Sequence, residues 1–198
     1  MPAGSGTFRR VKSRDLAYVA LFAAIVAVLG LLPPVNVPGF PVPITAQTLG
    51  VMLAGSVLGA KRGGLALLVF LALVAMGAPL LSGGRGGLSV FAGPTAGYLY
   101  SWPIAAFVIG LLTQLFWRRF NLAWALVANL IGGILVIYAI GIPFTSLFGD
   151  VPLWASFTGS LTFIPGDVVK AVVASLVAVA VRRAYPVIEL PSRRATAS

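Results

Sequence analysis

Neither cysteine nor histidine occurs in the 198 residues. Their absence removes disulfides, thiolate nucleophiles, imidazole acid–base catalysis and His/Cys metal sites together. Acidic residues are scarce too: four Asp and Glu stand against fourteen Lys and Arg, and 9% of the chain is charged. A soluble domain carries about 25%. No Gly-x-x-x-x-Gly-Lys-Ser/Thr run is present, so any use of ATP has to come from partner subunits. An intramembrane hydrolase or lipid-modifying transferase needs a nucleophile with its base, or paired carboxylates. Away from the basic clusters at the ends of apolar runs the only acids are Asp150 and Asp167, which argues against an enzyme.

What the chain does contain is apolar length. It is 59% hydrophobic with a mean hydropathy of +1.02, and this predicts an all-α integral membrane protein. A net charge of +10 could suggest nucleic acid. The basic residues, however, sit in small groups at the ends of apolar runs, which is a topology signal and not a binding stripe. Arg9, Arg10, Lys12 and Arg14 before an apolar run resemble a signal peptide. The run ends in Leu31-Leu32-Pro33-Pro34 without a small-residue cleavage site, so a retained first helix is expected.

Prolines and basic pairs divide the rest. Helices are expected over about 16–32, 44–60, 63–78, 95–117, 122–142 and from 165 to before Arg182-Arg183. Residues 1–15 read as a basic cytoplasmic arm, 16–183 as a six-transmembrane-helix bundle and 184–198 as a polar cytoplasmic tail. Six crossings put the arm, the turns at 61–62 and 118–119 and the C-terminal end on one side. That side holds twelve of the fourteen basic residues, the exceptions being Arg85 and Lys170, and this places both termini in the cytoplasm. The segment 143–164, with Trp154, Phe157 and Phe163, reads as an interfacial loop.

Two stretches carry chemistry. Asp167 and Lys170 stand three apart in the first turns of the last helix and share a face. A carboxylate there suits the macrodipole. A lysine there does not, and a cation inside an apolar span faces a cavity or a partner. The segment 80–100 carries five glycines before Thr95 together with Arg85, and irregular backbone near membrane depth survives where it lines a cavity or is buried by protein. Arg85 is read equally as a solvated loop charge or as an anchor for an anionic substrate. Gln47, Thr48, Thr95 and Tyr98 lie at helix ends on the side of Asp167, where ligand contact and interhelical hydrogen bonding are both open. Phe91, Trp102, Trp154 and Phe163 are aromatics that could stack on a ligand or fill the core. Asn129, alone in the fifth helix, reads as interhelical glue. On the first helix Ala20 and Ala24, then Ala23 and Ala27, are small residues four apart and make a flat stripe.

The runs Val42-Pro43-Ile44-Thr45-Ala46-Gln47-Thr48-Leu49, Gly83-Gly84-Arg85-Gly86-Gly87, Phe91-Ala92-Gly93-Pro94-Thr95-Ala96-Gly97-Tyr98 and Pro165-Gly166-Asp167-Val168-Val169-Lys170 resemble the BioY family in order and spacing. Members are biotin-binding S components of energy-coupling-factor (ECF) vitamin transporters. The resemblance covers about 16–181 and implies six helices with cytoplasmic termini in a bacterial or archaeal cell membrane. It implies a biotin pocket near the outer face, capped by the loops after helices 1 and 3. Asp167, Lys170, Tyr98 and Gln47 are expected there, with Thr48, Thr95, Gly93, Phe91 and Arg85 nearby. Biotin is then the ligand and no cofactor is needed. The stripe of Ala20, Ala23, Ala24 and Ala27 is expected to dock a transmembrane coupling subunit driven by two ATPase subunits. A homo-oligomer acting without that module, and an S component for another small vitamin, stay open as alternatives.

Overall fold

Apolar runs closed by prolines and basic turns fold as helices throughout. The computed structural model describes residues 13–185 and 187–188. The helices are α1 (Ser13–Gly30), α2 (Gln47–Leu58), α3 (Ala60–Ala75), α4 (Ala96–Leu115), α5 (Leu122–Phe148), α6 (Leu153–Leu161) and α7 (Ile164–Ala184). Short 3-10 turns span Leu88–Phe91 and Trp117–Arg119. The expected count of six helices is therefore corrected to seven among the described residues. The addition is α6, in the stretch read as a loop. Its polar Ser156 and Ser160 are buried while Leu153, Trp154, Phe157 and Leu161 are exposed, the reverse of a soluble surface helix.

The other boundaries move for physical reasons. α1 starts at Ser13 and so takes in the last residues assigned to the basic arm, whose residues 1–12 lie outside the described region. α2 starts at Gln47, not near Ile44, because Ile44 and Val35 exchange two backbone hydrogen bonds of 2.9 Å and hold Ile44 in an isolated bridge outside the helix. α5 runs on through Pro143. A proline removes one ladder bond, and membrane helices tolerate the loss where neighbours re-satisfy the freed group. In the segment read as a polar tail, Val187 and Ile188 are apolar and buried. Residues 186 and 189–198 lie outside the described residues.

Four helices, α1, α4, α5 and α7, are long and apolar enough to cross a membrane. With 12 and 16 residues, α2 and α3 rise only about 18 and 24 Å. Contacts fix which ends lie together. Arg62 Nη2 pairs with Asp15 at 2.8 Å, Arg62 Nη1 donates to Val187 O at 2.9 Å, Arg14 donates to Tyr185 OH, and Arg182 donates to the carbonyls of Trp117 and Phe120. Both described chain ends and both basic turns therefore share one end of the bundle.

Small residues let the helices touch. A β-carbon on Gly110 of α4 would fall 2.2 Å from Ala60 N, and one on Gly55 of α2 would fall 2.6 Å from Ala106 O. Such backbone-to-backbone approach is how helices associate without a hydrophobic drive. Asn129 accepts from Ser56 Oγ at 2.9 Å and donates to Ser175 Oγ at 3.0 Å. It ties α2, α5 and α7 together, as expected of a polar side chain in an apolar span. Within α5, Ile131–Val136 winds as a π turn, which takes up a surplus residue and often sits near a functional site.

Candidate ligand-binding site

The end of the bundle opposite the basic turns holds a cavity of about 60 Å³, smaller than the roughly 300–1,000 Å³ typical of small-molecule sites, so a ligand of biotin's size enters only as the covering loops move outward. Its walls come from α2, α4, α5 and α7, and two loops cover it. Val42, Pro43, Ile44 and Thr45 come from the first loop, and Leu81 and Arg85 from the second.

Pro165 occupies the first turn of α7, where its missing N–H costs nothing, and Asp167 follows in the same turn. Asp167 is 3% exposed, so its charge requires partners. Oδ1 takes Lys170 Nζ at 2.9 Å and the Thr48 hydroxyl at 3.3 Å, while Oδ2 takes the Tyr138 hydroxyl at 2.7 Å. Lys170 Nζ also donates to Thr45 O at 2.6 Å and to Thr48 Oγ1 at 2.9 Å. An ammonium has three donors and a carboxylate about four acceptor positions. Lys170 is thus saturated, and Asp167 keeps one acceptor position, on Oδ2.

Aromatic rings line the middle. Tyr98 meets Tyr138 and Phe163 edge-on, with centroids 6.4 and 6.2 Å apart, and Tyr138 meets Phe163 at 6.4 Å. Ser160 gives its one proton to Ser156 O at 2.7 Å, so at the 2.8 Å contact Tyr98 is the donor to Ser160 Oγ. Trp102 completes this wall, and its buried indole N–H has no partner among the described residues.

The second loop is shaped by glycine. Leu81 and Arg85 exchange backbone hydrogen bonds of 3.0 and 3.2 Å. Between them Gly83 and Gly84 have φ of +79° and +69°, a region costly for any side chain bearing a β-carbon. Arg85 Nε donates to Ser82 O at 3.3 Å, and its other four N–H donors have no partner among the described residues.

Of the residues expected at a site, the structure brings Asp167, Lys170, Tyr98, Gln47, Thr48, Thr95 and Arg85 to the cavity wall. Gln47 arrives with its amide engaged by backbone: Nε2 donates to Val26 O and Leu80 O, and Oε1 accepts from Ser82 N. Phe91 and Gly93 are not brought there. The Phe91 ring lies 5.8 Å from that of Tyr100, and Gly93 O accepts from Ala96 N at the start of α4. On α1, Ala20 and Ala24 are exposed and Ala27 is half-buried, whereas Ala23 is buried in the core. Tyr138 went unread in the sequence. The available signal was a hydroxyl in the apolar run 131–142, which needs a partner inside the bundle.

The chain can be set beside known proteins on this geometry. The BioY family model matches residues 5–187. The biotin transporter BioY of Rhizobium etli is 51% identical over 191 residues, covering 92% of this chain and 100% of the relative. The probable biotin transporter BioY of Bacillus subtilis is 44% identical over 174 residues, covering 88% of this chain and 93% of the relative. A crystal structure of the S-component for biotin from an ECF-type ABC transporter superposes with a TM-score of 0.83 at 33% identity, covering 91% of this chain and 95% of that one.

Proposed function

This chain belongs to the BioY family, and from that premise we propose how it holds biotin. It is a biotin-uptake protein of a prokaryotic membrane and not an enzyme. Biotin offers a ureido ring with two N–H donors and one carbonyl, an apolar bicycle, and a valerate tail ending in a carboxylate.

The observation that carries the assignment of groups is the unequal saturation of the two cations. Lys170 has all three donors taken, and Arg85 has four without a partner among the described residues. This favours Arg85 for the valerate carboxylate, with the charge-assisted bonds a guanidinium gives. Lys170 instead keeps Asp167 ionised, and the remaining acceptor position on Asp167 Oδ2 suits a ureido N–H. The unpartnered Trp102 N–H supports a donor to the ureido carbonyl. Tyr98, Tyr138 and Phe163 cover the bicycle, and Thr48 and Thr95 complete the polar edge.

The coupling reading rests on the exposed part of the alanine stripe, Ala20 and Ala24, which suits close approach by a transmembrane coupling subunit driven by ATPase subunits. Six crossings with both termini cytoplasmic are supported by the basic charge gathered at one end, with α6 lying along the interface. Titrating the purified full chain with biotin tests the assignment. Saturable binding is expected, and its absence in a folded preparation removes the proposal.

A further inference from the structure

We infer that Gln47 is a positioning residue, a latch that holds the Arg85 loop over the cavity, and not a direct ligand contact. The inference rests on the reading that this cavity takes biotin. Gln47 is 1% exposed, and three of the four hydrogen-bonding positions of its amide go to backbone from two other segments. Nε2 donates to Val26 O of α1 at 3.1 Å and to Leu80 O at 3.0 Å, and Oε1 accepts from Ser82 N at 3.1 Å.

The latch connects to the cation. Ser82 gives its N–H to Gln47 and receives Arg85 Nε on its carbonyl at 3.3 Å, while Leu81 and Arg85 close the turn between them. One side chain therefore sets the first residues of a loop whose glycines, Gly83 and Gly84, supply no packing of their own. Gly30 completes the arrangement from α1. A β-carbon there would fall 2.2 Å from Leu80 O and 2.9 Å from Gln47 Nε2, so glycine is what lets the loop reach α1 at all. Gln47 and Gly30 meet the same carbonyl from two helices, and Gly30 is not part of the cavity wall.

Three variants of the full chain test this. Gln47→Met keeps the length of the side chain and removes all three bonds. Gly30→Ala displaces Leu80 and presses on the Gln47 amide from a position that does not itself line the cavity. Ser82→Cys places a thiol in a chain that has none, at a buried side chain whose hydroxyl has no partner among the described residues. The introduced thiol is expected to react slowly with a maleimide, and about tenfold faster once Gln47→Met or Gly30→Ala is added. Biotin dissociation is expected to quicken about tenfold in each latch variant, corresponding to about 1.4 kcal/mol, and Gln47→Met should add nothing in an Arg85→Met background. Unchanged thiol reactivity, or full additivity with Arg85→Met, overturns the latch. Failure of the unsubstituted chain to bind biotin would instead remove the functional reading, and the thiol measurement would still decide the latch.

Discussion

Replacing Asp167 by Asn separates the two jobs given to this carboxylate. The side chain keeps its shape and loses its charge, so the Lys170 ammonium, whose side chain is 15% exposed, is left with neutral acceptors alone: Thr45 O, Thr48 Oγ1 and the amide oxygen of the substituted side chain. Breaking a buried pair from one side costs roughly 3–5 kcal/mol. The surviving neutral acceptors and the residual exposure of Lys170 place the loss of stability at about 3 kcal/mol. Affinity should fall independently, because a hydrogen bond to a charged acceptor contributes about 1.5–3 kcal/mol, or roughly 10- to 150-fold in Kd. The assay is a thermal melt without ligand, paired with biotin titration well below the melting point. Adding Lys170→Met divides the effects: with the stranded cation gone, stability should return most of the way, while affinity stays low. If Asp167→Asn folds and binds biotin as the unsubstituted chain does, the carboxylate is not a ligand group. If the double variant regains affinity as well as stability, the loss in the single variant came from the stranded cation.

Arg85→Met should weaken biotin roughly 10- to 150-fold by removing a charge-assisted contact. Binding of biotin methyl ester should barely change, and an equal loss for both ligands in parallel titrations would deny Arg85 the carboxylate. Gly110→Ala drives a methyl group into the backbone of Ala60 and should lower stability by about 1–3 kcal/mol, read as a drop in melting temperature. Bulky side chains at Ala20 and Ala24 should leave biotin binding intact and reduce uptake in cells that carry the coupling and ATPase subunits. Uptake at the unsubstituted level would mean the stripe docks elsewhere.

What could be read from the sequence follows from which forces leave a mark on it. The expense of a charge in lipid exposed Asp167 and Lys170, and the gathering of Lys and Arg at helix ends exposed the turns at 61–62 and 118–119. Prolines did less well. Pro33 does follow the end of α1, but Pro143 sits inside α5, because tertiary packing overrides the local preference. The nine residues of α6 read as loop because its buried face is serine, and in a membrane protein the polar side can be the inner one. Phe91 and Gly93 belong to the motif that carries the family resemblance, yet they shape the start of α4 and do not reach the cavity. Gln47 shows the sharpest limit. Its partners are main-chain atoms 21, 33 and 35 residues away, and main-chain atoms are the same whatever the sequence.

The π turn in α5 has a consequence for the residue count of that span. Each residue added to a helix advances it by about 100°. The wide turn at Ile131–Val136 absorbs that advance. Removing its surplus residue would let the ladder rewind regularly while the later side chains, Tyr138 among them, keep their sectors of the bundle. Homologues without the wide turn are therefore expected to present the same hydroxyl opposite their aspartate from a span one residue shorter.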